Sequence, residues 1–97
     1  MKTTTKKLTQ VDQMYVDIKE IFGANASIYS TNYYNPGRRF QAEIIGEHGG
    51  AYMFGANLTK GSFRQLIELC QFLNIKDWSQ EEKIAFWKKE SNLKKYK

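Results

Sequence analysis

Apolar residues recur every three or four positions from Leu8 to Phe22, at Leu8, Val11, Tyr15, Ile18 and Phe22, and draw one stripe down a helix. Thr9 is placed to cap its start, and Gly23, which tolerates a left-handed position, to end it. The period then changes to two. Tyr29, Thr31 and Tyr33 share a face over residues 26–34, and Phe40, Ala42 and Ile44 share one over 38–45, as in two strands joined at Asn35-Pro36-Gly37-Arg38. Setting Asn35 opposite Arg38 pairs Tyr33 with Phe40, Thr31 with Ala42 and Tyr29 with Ile44, which puts both apolar sets on one side. A Pro-Gly type II turn splays a two-residue hairpin, and that works against this register.

A second hairpin follows at Gly46-Glu47-His48-Gly49-Gly50, a three-residue loop with Gly49 at the left-handed bulge position. Gly46 then opposes Gly50, so Ile44 faces Tyr52, Ala42 faces Phe54 and Phe40 faces Ala56. Helical spacing returns after Leu58, with Phe63, Leu66, Ile67, Cys70 and Leu73 as the stripe and Ser62 and Gln65 spaced as a capping box. A third helix opens on the capping box Ser79-Gln80-Glu81-Glu82 and turns Ile84 and Trp87 inward; its acidic start and basic end both suit the helix dipole. The order α-β-β-β-α-α predicts a single α+β domain: a three-stranded antiparallel sheet with helices packed on its aromatic face.

Length agrees with that reading. Ninety-seven residues accommodate one modest core, and 41% hydrophobic content with 14% aromatics argues against disorder. No apolar run approaches a membrane span, no apolar segment follows the basic N-terminus, and a lone Cys70 forms no internal disulfide, so the reading is of a cytoplasmic protein without a membrane partner. The net charge of +5 is carried at the ends: Lys2, Lys6 and Lys7 supply +3 and the five lysines of 88–97 less Glu90 supply +4, which leaves residues 8–87 at −2. Residues 8–87 therefore read as the compact domain, with 1–7 and 88–97 as basic flanking segments.

Several motifs resolve into ordinary structure. Gly55-Ala56-Asn57-Leu58-Thr59-Lys60-Gly61-Ser62 resembles a phosphate-binding loop, but there glycine precedes the lysine and here Lys60 precedes Gly61. The G-x-x-G of residues 46–49 joins strands, whereas the single-strand clamp of that spacing joins helices. Tyr52 and Phe54 have the spacing of base-stacking aromatics, yet the register turns them to the core. One histidine and one distant cysteine make no metal constellation, Cys70 falls on a buried stripe, and nothing places a base beside a nucleophile; the chain reads as non-enzymatic, with no cofactor. The order α-β-β-β-α is shared with double-stranded-RNA-binding domains, but Thr59–Arg64 offers two cations where that family opens its last helix on dense lysine, so the analogy stops at topology.

Two surfaces remain. At one end of the sheet the register gathers Arg38, Arg39 and Tyr34 near Lys60 and Arg64, four cations around an aromatic beside a helix N-terminus, a set suited to a phosphate backbone. On the outer sheet face it places Ile28, Ser30, Asn32, Tyr34, Arg39, Gln41, Glu43, Ile45, Ala51, Met53 and Asn57, too apolar for pure solvent and too polar for a core, which the third helix or a partner covers. The leading expectation is a small nucleic-acid-binding or regulatory module using the cationic set. The alternative is a protein-binding inhibitor or adaptor docking through Tyr34, Ile45 and Met53, of the kind mobile elements use to block host nucleic-acid enzymes.

Overall fold

The computed structural model describes residues 9–30, 38–53 and 57–96. Helix α1 (Gln10–Phe22) leads to strands β1 (Ser27–Ser30), β2 (Phe40–Ile45) and β3 (Ala51–Met53), then helix α2 (Lys60–Leu73), a 3₁₀ turn (Ile75–Asp77), helix α3 (Gln80–Ser91) and a second 3₁₀ turn (Lys94–Tyr96). The strands form one antiparallel sheet in the order β1-β2-β3, so the α+β architecture is as the sequence predicts.

Local signals set the helix ends. Thr9 caps α1 through a capping box with Asp12, its hydroxyl accepting from the Asp12 amide at 3.0 Å and its own amide donating to Asp12 Oδ2 at 3.3 Å. Gly23 stops the helix at φ 114°, ψ 158°, a glycine conformation but not the left-handed helical one expected. Ser79 and Glu82 form the predicted box on α3. On α2 the cap is Thr59, which accepts from the Ser62 amide at 3.2 Å, so the helix starts earlier than the Ser62–Gln65 box implied.

The second hairpin has the predicted register, with Ile44 opposite Tyr52 and the loop closed by Gly46 N–H donating to the Gly50 carbonyl at 2.7 Å. Tyr52 stands on Ile44's side of the sheet but is not in the core. Its ring lies over Gly46, where an added Cβ would come within 2.7 Å of Cε2, and it stays 42% exposed. Phe40 opposes Leu58, not Ala56, through paired backbone bonds of 2.8 and 2.9 Å, so Arg38 is not Leu58's partner.

The first hairpin departs from expectation. Ile28 pairs with Ala42 and Ser30 with Phe40, three residues away from the predicted register, and an odd shift exchanges the faces of β1. Ile28 and Ser30, expected outside, are buried; Tyr29, expected inside, is 49% exposed. The small and aliphatic side chains of Ala26, Ile28 and Ser30 let α1 lie close to β1, where Tyr15 donates to the Ile28 carbonyl at 3.0 Å and Lys19 Nζ to the Ala26 carbonyl at 2.7 Å. The turn itself, with Thr31, Tyr33, Tyr34 and Pro36, falls outside the described residues, as do Phe54 and Ala56.

Inside, a chain of rings ties the elements together: Phe40 of β2 to Phe63 of α2 at 6.1 Å, Phe63 to Trp87 of α3 at 5.3 Å, and Trp87 to Phe22 of α1 at 5.4 Å. Met14 and Ile21 of α1, outside the predicted stripe, are buried with them. Polar anchors orient α3 on this core. Gln80 Nε2 donates to the Phe22 and Ile45 carbonyls, and Lys83 Nζ to that of Ile21 at 2.7 Å. Burial lowers the Lys83 pKa, opposed by nearby Asp77. Core packing also runs past the boundary expected at 87, because Ser91 and Tyr96 are buried and Lys95 lies 5.1 Å from the Tyr96 ring centre.

Candidate nucleic-acid interface

Three of the five residues expected at the cationic rim converge. Arg38, Arg39 and Lys60 line one cleft of about 360 Å³ together with Val11, Phe40, Thr59 and Gly61. The Phe40–Leu58 bridge brings this about, because it sets the chain entering β2 against the chain entering α2. Arg38 is held in place on two sides. Its Nε donates to Ser30 Oγ at 3.0 Å and its guanidinium carbon lies 5.0 Å from the centre of the Phe40 ring. The Ser30 bond uses one of the five N–H groups of a planar fork suited to phosphate oxygens.

The floor of the cleft is the start of α2. Thr59 Oγ1 occupies the Ser62 amide and the Thr59 carbonyl takes that of Phe63, whereas the amides of Lys60 and Gly61 have no acceptor within the helix. The first turn of α2 contains no acidic residue to neutralise them. Lys60 and Gly61 both line the cleft, and Lys60 is exposed. Side-chain cations, helix dipole and amide donors thus act on the same small volume.

Arg64 does not join them. It lies one turn further along α2, 4.0 Å from Glu68, and lines a separate cleft with Gln13 and Asp17 of α1. Tyr34 lies outside the described residues. Of the alternative interface, the register places Ile45 and Met53 on the outer sheet face, Ile45 partly buried and Met53 48% exposed. The inverted β1 adds Tyr29 to that face, a residue the sequence reading had turned inward. Helix α3 packs Trp87 against Phe22 and Phe63 on the opposite side of the sheet.

Cys70 is fully buried on α2, and burial, with the Glu90 carboxylate as the smaller influence, pushes its thiol up to about 12. A second polar grouping is one the sequence reading missed: ligand atoms of Glu47, His48 and Glu81 lie within 4.8 Å of one another. Glu81 is distant in sequence from the hairpin loop, and only the docking of α3 brings it there. No family model, curated protein or solved structure matches the chain.

Proposed function

We propose that this protein is a small non-enzymatic module that binds nucleic acid through its phosphate backbone, with Arg38, Arg39 and Lys60 as the contacting cations. The convergence of these three side chains on the unneutralised start of α2 carries the reading. Lys60 and Arg39 supply charge, Arg38 a positioned fork, and the Lys60 and Gly61 amides hydrogen-bond donors directed by the helix. Such contacts fix a strand in place without reading its sequence. Lys94 and Lys95, exposed on the second 3₁₀ turn beside buried Tyr96, add to the attraction from a folded support. Titrating labelled duplex and single strands at two salt concentrations tests the proposal. Binding that weakens with salt, and weakens at every sequence when Arg38, Arg39 and Lys60 are replaced by alanine, is the expected result.

A second reading is favoured by one observation: Tyr29 and Met53, both about half exposed, stand on the same sheet face with Ile45. A protein partner docking there would bury two large flexible or aromatic side chains, the residue types that dominate interface energetics. Under that reading Tyr29→Ala and Met53→Ala abolish capture of the partner while the cationic-cleft variants leave it intact, and salt has little effect.

A further inference from the structure

We propose that Glu47, His48 and Glu81 bind a divalent transition-metal ion that bridges the β2–β3 loop and the start of α3. Their ligand atoms, one imidazole nitrogen and two carboxylate oxygens, lie within 4.8 Å of one another. Donors around a tetrahedral Zn²⁺ at about 2.1 Å stand about 3.4 Å apart, so a movement of roughly an ångström by exposed side chains closes the site. One imidazole with two carboxylates is a donor set for borderline cations, and it leaves a coordination position for water.

The convergence is built by specific contacts. Gln80 Nε2 donates to the Ile45 carbonyl at 2.7 Å, which holds the residue before Glu81 against the residue before Gly46. The loop carrying the other two ligands is tight. Gly46 N–H donates to the Gly50 carbonyl, Gly49 N–H to that of Gly46, and Gly49 sits at φ 89°. Neighbouring Glu82 is committed to the Ser79 cap, whereas among the described residues the side chains of Glu47, His48 and Glu81 make no hydrogen bond or ion pair. The same three residues line a cleft of about 290 Å³ together with Tyr52, Ile84 and Lys88, whose ammonium, like the helix dipole, opposes a cation there. Two carboxylates held this close repel each other, and a divalent cation removes that repulsion. The α3 dipole opposes a cation at this end, so affinity rests on the two formal negative charges and the imidazole.

This site is separate from the cationic cleft and stands independently of the proposed function. Isothermal calorimetry of untagged, folded protein with Zn²⁺ alone tests it, with circular dichroism verifying that the exposed-site variants His48→Ala and Glu81→Gln remain folded. The expected result is saturable one-to-one binding, weakened at least tenfold by each substitution, with no comparable heat from Mg²⁺, which prefers oxygen ligands. Absence of Zn²⁺ binding would overturn the proposal, as would binding that either variant leaves unchanged.

Discussion

Trp87→Ala removes the ring that joins three helices and, through Phe63, the sheet. Trp87 is 1% exposed and makes edge contacts with Phe22 and Phe63 at 5.4 and 5.3 Å. Truncating a buried aromatic costs about 3–5 kcal/mol, and the two ring pairs place this site in the upper half of that range. A domain of this size has roughly 5–15 kcal/mol in total and loses about 5 °C of midpoint per kcal/mol, so the variant should melt about 20–25 °C lower. Urea unfolding followed by far-ultraviolet circular dichroism measures the loss directly; tryptophan fluorescence is a poorer reporter because Trp78, which remains, is partly exposed. A cost below about 1 kcal/mol, the scale of surface substitutions, would refute the docking of α3 through this side chain.

Three further outcomes follow from the same packing. Ile28→Ala should cost about 2–4 kcal/mol and Tyr29→Ala under about 1, because the observed register buries the first and exposes the second; the reverse order in urea unfolding would restore the register read from the sequence. Deleting residues 92–97 should cost about 2 kcal/mol through the loss of buried Tyr96, and an unchanged midpoint would make the C-terminus a true flank. Cys70 should resist a thiol reagent at pH 8 until the protein is unfolded. Since its folded pKa is raised from 9.0 to about 12, the stability it contributes is complete below pH 9 and lost as pH rises toward 12; prompt native-state labelling would contradict this.

Features set by neighbours in the chain were legible in the amino-acid sequence. The Thr9 and Ser79 caps each need only a partner three residues on, and the glycines at 46, 49 and 50 specify the second hairpin by backbone geometry. The marker of the first hairpin, Asn35-Pro36-Gly37, reads as a type II turn, which does not fix a two-residue register. Both faces of residues 26–34 mix aromatic, β-branched and small side chains, so alternation alone does not choose between them, and the close approach of α1 decides in favour of Ile28 and Ser30. Lys60 beside Arg38 and Arg39 was visible because the strand pairing itself delivers it; the register was two residues off there, an even offset that preserves the faces. Arg64 was misplaced because helical rotation turns it toward Asp17 and Glu68. The Glu47–His48–Glu81 grouping depends on how α3 docks, which no local pattern encodes.

The salt dependence of binding in the wild type and in the Arg38→Ala/Arg39→Ala/Lys60→Ala variant tests the central claim most directly. Under the proposal, three phosphate contacts at this cleft would contribute about 0.9 each to the slope of log affinity against log salt on duplex DNA, so the variant's slope should be shallower by up to about 2.7, at every sequence tried. Equal slopes for the two proteins, or no binding by the wild type even at low salt, would contradict it.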